Sequence, residues 1–219
     1  MSASTIRDVI TRLGALATST IANALDSVGC HNHATCELRP VYPGIRFAGR
    51  AVTVRESAGD YGRFRSEDFR VGAMIDAAAP GDVIVVAAGG ARASTWGGMA
   101  SLAAKEKGLA GLVVDGGVRD QEEIESCGFP VFARHLVPTT GRTRLRVEAL
   151  DVPVEIDGLL VEPGDIIVAD GTGVVRVPLV NSSEVAEVAE ACARDDRQAE
   201  EEIRAGLSFS EAMGKFRRI

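Results

Sequence analysis

Three short apolar runs, DVIVVAA over residues 82–88, GLVVD over 111–115 and PVFAR over 130–134, constrain this chain more than any other feature. Runs of this length bounded by turn residues read as buried strands, and with the alternating, β-branched IRFAGRAVTVR of residues 45–55 they predict one sheet. Helical spacing over residues 70–79 and 99–107, and a short helical piece over 121–126 begun by Asp120, place helices between the strands. The order is therefore largely β-α-β, and the expected class is α/β. Two consecutive helices fit residues 4–27, with Thr18 or Ser19 as N-cap of the second and Gly29 as its stop. After Gly141 the pattern changes to alternating segments with turns at Gly158, at Pro163 and Gly164, and at Gly171 to Gly173, which predicts antiparallel pairing. Asn181 or Ser182 is placed to cap a closing helix over residues 184–205, whose Val185, Val188, Ala189 and Cys192 share one face.

A chain of 219 residues with 46% apolar content can bury a substantial core, and no linker rich in Pro, Gly or Ser divides it, so a single domain over residues 1–219 is expected. The formal net charge of -7 argues against direct nucleic-acid binding, which needs clustered cations facing a polyanion. Two basic clusters, Arg142, Arg144 and Arg146, and Lys215, Arg217 and Arg218, then read as solvated faces or subunit contacts. The N-terminus has no basic region followed by an apolar stretch, and no segment approaches the roughly 18 apolar residues of a membrane span. A cytoplasmic protein without a membrane partner is expected. Cys30, Cys36, Cys127 and Cys192 show no C-x-x-C spacing and are expected to be free thiols.

Residues 89–120 set a glycine-rich turn, a helix and a buried strand ahead of Arg119 and Asp120. Gly97 and Gly98 let the backbone approach a ligand closely, and the helix beginning there offers unpaired N–H groups and a positive dipole end, a place suited to a small carboxylate. Arg119 offers a planar fork for a carboxylate, and Asp120 a hard oxygen for Mg²⁺ or Mn²⁺, so the two could present a 2-oxo acid with ketone and carboxylate oriented together. The same pair also reads as a surface ion pair, with Asp120 merely capping the helix at Gln121. Trp96, the one tryptophan, reads as a core or interface anchor. Cys30, His31, His33 and Cys36 gather soft ligands, but their spacing matches no common closed zinc pattern, so loop histidines and buried cysteines are the expectation. Lys105 and Lys107 lie in a polar helix turn and are given no Schiff-base role, and His135 has no recognisable partner. No phosphate-loop or dinucleotide fingerprint is present, so ATP and NAD are not implied.

The pattern WGG, a helix, then GLVVDGGVRD resembles the family that contains the 4-hydroxy-4-methyl-2-oxoglutarate aldolases and the regulators of ribonuclease E activity, the RraA-like proteins. The similarity extends through LATSTIANALDSVG (16–29), RPVYPGIRFAGRAVTV (39–54), AAPGDVIVV (78–86) and GFPVFAR (128–134). This resemblance implies a β/β/α sandwich similar to phosphohistidine-type swivelling domains, assembled as homo-oligomers, either trimers or hexamers. It implies a divalent metal on Asp120, a substrate carboxylate on Arg119, and backbone contacts to pyruvate from Gly97, Gly98, Met99 and Ala100. It also implies a Glu from a neighbouring subunit's C-terminal region, for which Glu200, Glu201 and Glu202 are the candidates. The activity implied is metal-dependent cleavage of a C–C bond in a small 2-oxo acid to release pyruvate, with oxaloacetate decarboxylation arising from the same enolate. The other role among relatives is a non-catalytic regulator that binds an RNA-processing nuclease. Two departures stand out: Gly98 occupies a place where some aldolases carry an acidic residue, and Asn23 one where Asp is usual, although Asp26 remains. The general base is not legible, and the outer half of the pocket falls to the loop over residues 57–68.

Overall fold

In the computed structural model, which describes residues 3–216, the chain opens with helices α1 (Ala3–Gly14) and α2 (Thr18–Ser27) and a two-residue strand β1 (Arg39–Pro40). It then alternates β2 (Phe47–Ala58), α3 (Val71–Ala77), β3 (Asp82–Trp96), α4 (Gly98–Glu106), β4 (Gly111–Val118), α5 (Gln121–Cys127) and β5 (Val131–Leu136). The second half supplies β6 (Leu145–Leu150), β7 (Val154–Ile156), β8 (Leu159–Val161), β9 (Ile166–Asp170) and β10 (Gly173–Val177), and closes with α6 (Ser182–Arg204) and α7 (Phe209–Lys215). Arg217 and Arg218 of the terminal basic cluster lie outside the described residues.

The large sheet runs β1-β5-β4-β3-β2-β9-β10, with β6 also paired to β2. The predicted apolar runs are its parallel centre, β2 to β5, and every pairing made by the second half is antiparallel, as the change of pattern after Gly141 predicts. Period-two alternation explains why strands so apolar suit this position, because each face has its own cover. Val52, Val54, Ile84, Val86, Leu112 and Val114 pack with Met74, Ala104 and Ile124 of α3, α4 and α5. On the opposite face, Val83, Val85, Val113 and Phe132 meet Val154, Ile156, Leu159 and Val161 of the β7–β8 hairpin. The result is the β/β/α sandwich the resemblance implies. Separately, apolar positions of α1, α2 and α6, among them Leu13, Ile21, Leu25 and Val185, close over Ile166, Val168, Val175 and Val177 of β9 and β10.

Several local expectations are corrected. The strand predicted over residues 82–88 is longer: β3 continues to Trp96, so the glycine-rich turn ahead of α4 narrows to Gly97. Gly89 and Gly90 take φ of 60° and 72°, and the register against β4 slips between Ala87 and Ala91, which bends the strand. β2 likewise extends to Ala58, so the predicted outer loop begins later, and α4 starts one residue early, at Gly98. Gly29, at φ 77°, does end α2.

Neither Thr18 nor Ser19 is the N-cap of α2. Ala17 holds that position without a side-chain bond, and the Thr18 N–H and hydroxyl both donate to the Asp170 carboxylate at the end of β9, at 2.8 Å each. Burial would raise the Asp170 pKa, but these bonds and that from Thr172 outweigh it and hold it below the ordinary value. Asp170→Ala is expected to cost about 2 kcal/mol, read as a lower urea midpoint at unchanged slope. An unchanged midpoint would refute this long-range cap. Asn181 holds the N-cap position of α6, as expected, but without a side-chain bond, and the Ser182 hydroxyl donates to the Leu179 carbonyl.

Among the described residues no disulfide links Cys30, Cys36 and Cys127, and Cys36 is exposed, contrary to the expectation of buried loop cysteines. Among the described residues no helix is long and apolar enough to cross a membrane.

Candidate active site

Arg119 and Asp120 are the two-residue link between β4 and α5, at the carboxyl end of a central parallel strand, where α/β sheets open a crevice. The Arg119 N–H donates to the Trp96 carbonyl at 3.0 Å, tying this link to the end of β3. Asp120 adopts φ 59° and ψ 47°, a left-handed conformation that costs a non-glycine residue energy but that Asp tolerates better than most. That backbone turns its carboxylate away from α5. Asp120 makes no side-chain cap bond to its own helix, and Oδ2 instead accepts the Gly98 N–H, the first of α4, at 3.2 Å. The reading of Asp120 as a plain cap of the helix at Gln121 is thereby corrected: its carboxylate serves the neighbouring helix. The ion-pair reading survives in weak form, with Arg119 Nε 3.5 Å from the same oxygen. The side chains remain 46% and 37% exposed, so both charges are accessible to a ligand.

The cleft they border measures about 200 Å³ and is walled by Phe69, Val71, Thr95, Trp96 and Thr140 together with five of the six predicted residues, all but Gly98: Gly97, Met99, Ala100 and the Arg119 and Asp120 pair. That volume suits a small acid and is below the usual range for drug-sized ligands. Gly98 is not in this wall; its N–H is engaged by Asp120, and it faces a second, open groove with Met99, Leu102 and Glu123. The need for glycine here is spatial. A Cβ on Gly97 would lie 2.5 Å from Asp120 Oδ2, and one on Gly98 2.7 Å from the Glu123 Cβ, while Gly97 has an ordinary extended backbone. An acidic side chain at 98 would therefore collide with Glu123 on α5. Trp96 is a core anchor, 1% exposed, its Nε1 donating to Ser101 Oγ at 2.9 Å and its ring stacked on Phe129.

One acidic residue at the site escaped sequence reasoning. Glu56 on β2 is 7% exposed, and its Oε2 accepts a 2.5 Å hydrogen bond from the hydroxyl of Thr95, a residue of the cleft wall. Burial in an apolar face pushes the Glu56 carboxyl up from 4.5 to about 7, only partly offset by the Thr95 bond. Alternation along β2 puts it on the face of Val52 and Val54, which is the signal that could have revealed it.

The remaining candidates are held elsewhere. Lys105 Nζ donates to the Cys127 carbonyl and Lys107 Nζ to those of Ile75 and Asp76. His31 and His33 do not gather with the cysteines but converge on Asp26, whose Oδ1 is 3.1 Å from a nitrogen of each; these bonds lower the Asp26 pKa. Glu200 pairs with Arg204, and Glu202 with Lys215. Arg144 lies over Tyr61 and Arg146 over Phe64, packing the basic cluster onto the loop after β2.

Among the described residues no three His, Cys, Asp or Glu side chains cluster as a closed metal site. The donor set at the cleft is one accessible carboxylate, that of Asp120. It fits Mg²⁺ or Mn²⁺, which keep most of their water and take one or two carboxylates plus substrate oxygens, and does not fit a four-ligand zinc centre.

Comparison with known proteins places this geometry in context. The sequence profile of the RraA-like family, described as Aldolase/RraA, matches residues 18–176. A 4-hydroxy-4-methyl-2-oxoglutarate aldolase of Thermus thermophilus is 33% identical over 134 residues, 61% of this chain and 76% of the relative. An uncharacterised protein of Pseudomonas syringae pv. tomato has a solved structure that superposes with a TM-score of 0.87 at 30% identity, covering 96% of this chain and 94% of that one. Streptomyces coelicolor RraAS2, described as an unusual member of the RNase ES inhibitor RraA protein family, gives 0.77 at 31% identity, covering 90% and 96%.

Proposed function

This chain belongs to the RraA-like family of aldolases and RraA proteins, and we propose that within it the protein is a divalent-metal-dependent lyase that cleaves a small 2-oxo acid to release pyruvate. The observation that carries this reading is the convergence of Arg119, Asp120 and the start of α4 on one small cleft, with Asp120 held in a left-handed backbone that keeps its carboxylate in that cleft. Arg119 has one acid partner there, at 3.5 Å, which leaves N–H groups to grip the substrate carboxylate bidentately. Asp120 would hold Mg²⁺ or Mn²⁺. When bound, that ion supplies electrophilic stabilisation of the negative charge that develops on the substrate as the C–C bond breaks. Phe69, Val71 and the edge of Trp96 make an apolar wall that limits water around the reacting carbons. Oxaloacetate decarboxylation draws on the same groups, because it leaves the same enolate. The small acid is the proposed partner, with a homo-oligomer of this chain, trimer or hexamer, as the proposed assembly.

The likeness to RraAS2 favours a second reading, a regulator of an RNA-processing nuclease. An assay decides between them: pyruvate release from 4-hydroxy-4-methyl-2-oxoglutarate and from oxaloacetate, with Mg²⁺ or Mn²⁺ and then with EDTA. Metal-dependent release that EDTA abolishes supports the lyase. No pyruvate from folded, metal-loaded protein rejects it and moves the regulator to first place.

A further inference from the structure

We propose that Thr95 and Glu56 form the proton relay of this site, Thr95 meeting the substrate with its hydroxyl and Glu56 taking and returning the proton from behind. The inference rests on the lyase reading and supplies the acid-base group that reading lacks. Thr95, 1% exposed, lies at the innermost wall of the cleft that also holds Arg119 and Asp120, and its hydroxyl is 2.5 Å from Glu56 Oε2. The other carboxyl oxygen, Oε1, is buried without a hydrogen-bond partner. A carboxyl half-satisfied in an apolar face destabilises a fold, and a Gln, Thr or Val would pack there at less cost. Its presence is explained by a task that needs a titrating group.

The charges on surrounding elements leave Glu56 alone. Arg55 and Arg146 interact with Glu148, Asp68 pairs with Arg65, Asp76 of α3 is exposed, and Lys105 of α4 bonds the Cys127 carbonyl. Arg119 and Asp120 share the cleft with Thr95 but make no hydrogen bond or ion pair with Glu56. Burial therefore sets its titration, near neutrality, where a group can both accept and give a proton.

In cleavage of a 4-hydroxy-2-oxo acid, the Thr95 oxygen takes the proton of the C4 hydroxyl as its own proton passes to the Glu56 carboxylate. The C3–C4 bond breaks, its electron pair becoming the C2–C3 π bond of the enolate while C4 becomes a carbonyl. The Glu56 proton then returns to Thr95 as the Thr95 proton goes to C3, completing the methyl of pyruvate and restoring the carboxylate. Decarboxylation of oxaloacetate needs only the second half, with the proton drawn finally from water. Aldol cleavage thus requires ionised Glu56 at the start, and decarboxylation requires the protonated form. Glu56 touches no substrate atom and acts only through Thr95.

The test compares the full-length wild type with Glu56→Gln, Thr95→Val and Thr95→Ser. In the wild type, kcat/KM for the hydroxy acid should rise with pH through about 7, and that for oxaloacetate should fall over the same range. Glu56→Gln should lower kcat for the hydroxy acid by about 10²-fold or more, leave KM unchanged and erase both limbs. Thr95→Val should do the same, and Thr95→Ser, which restores the hydroxyl, should recover most of the rate. Independently of turnover, an infrared titration of the metal-free protein should show one carboxyl C=O band titrating near neutrality that Glu56→Gln removes. An active wild type whose rate and pH limbs survive in Glu56→Gln overturns the relay and leaves the lyase standing; an inactive wild type overturns both. Should Glu56→Gln fail to fold, the Thr95→Val and Thr95→Ser pair decides by the same criteria.

Discussion

Asp120→Asn is expected to yield a folded protein whose kcat/KM for pyruvate release has fallen by at least about 10²-fold, on the order of 3 kcal/mol of transition-state stabilisation. The substitution is chosen for what it leaves intact. Asn tolerates the left-handed backbone at φ 59°, and its side-chain oxygen can still accept the Gly98 N–H at the start of α4. The volume between Gly97, Arg119 and the cleft is also unchanged. What disappears is a negative charge and a hard anionic oxygen, the two properties a divalent ion requires. Alanine would be a poorer test, because it adds backbone strain and strips the cap from α4. Thermal melting should therefore place the variant close to the wild type, while steady-state turnover with Mg²⁺ or Mn²⁺ collapses. Retention of turnover within about threefold would show that the Asp120 charge has no part in the chemistry.

The second large effect concerns stability, and Glu56 causes it. Its folded-state pKa, about 7, lies above the ordinary 4.5, so the unfolded chain loses this proton first as pH rises. Below about pH 4.5 both states are protonated, and the carboxyl is neutral with respect to stability. Between there and about pH 7 the unfolded state is progressively favoured, and above that the loss is complete. At about 1.4 kcal/mol per pH unit, the gap amounts to about 3 kcal/mol. Glu56→Gln removes the titration, so the variant should gain about that much over the wild type at pH 8 and nothing at pH 4. Urea midpoints at the two pH values measure the difference directly. Equal pH dependence in both proteins would mean that the buried carboxyl is not titrating as its surroundings dictate. A gain in stability paired with a loss of turnover is the trade expected where a site keeps a group the fold would rather do without.

How far the sequence could be read depended on the range of the interaction concerned. The parallel centre followed from DVIVVAA, GLVVD and PVFAR because a continuous apolar run reports a strand covered on both faces, as these are. The placement of Arg119 and Asp120 at the carboxyl end of a strand was legible because they are adjacent residues directly after an apolar run. The cap of α2 was not, since the group that satisfies Thr18 is Asp170, 152 residues away. The continuation of β3 past Ala88 through the bend at Gly89 and Gly90 was not legible, because two glycines in sequence do not say whether a strand ends or kinks and continues.

The sequence by itself determined the class of fold, the faces of its strands and helices, the glycines at 97 and 98 and the acid-base character of the link after β4. These are consequences of local periodicity and of side-chain chemistry. Only the tertiary structure decided which groups those residues meet. It turns the Asp120 carboxylate onto the Gly98 N–H and fits Gly97 against that same carboxylate. It also seats Glu56 behind Thr95 in an apolar layer that holds on to the carboxyl's proton. Partner identity and burial are sums over chain segments far apart in sequence, and a carboxyl's proton affinity follows from them rather than from its neighbours along the chain.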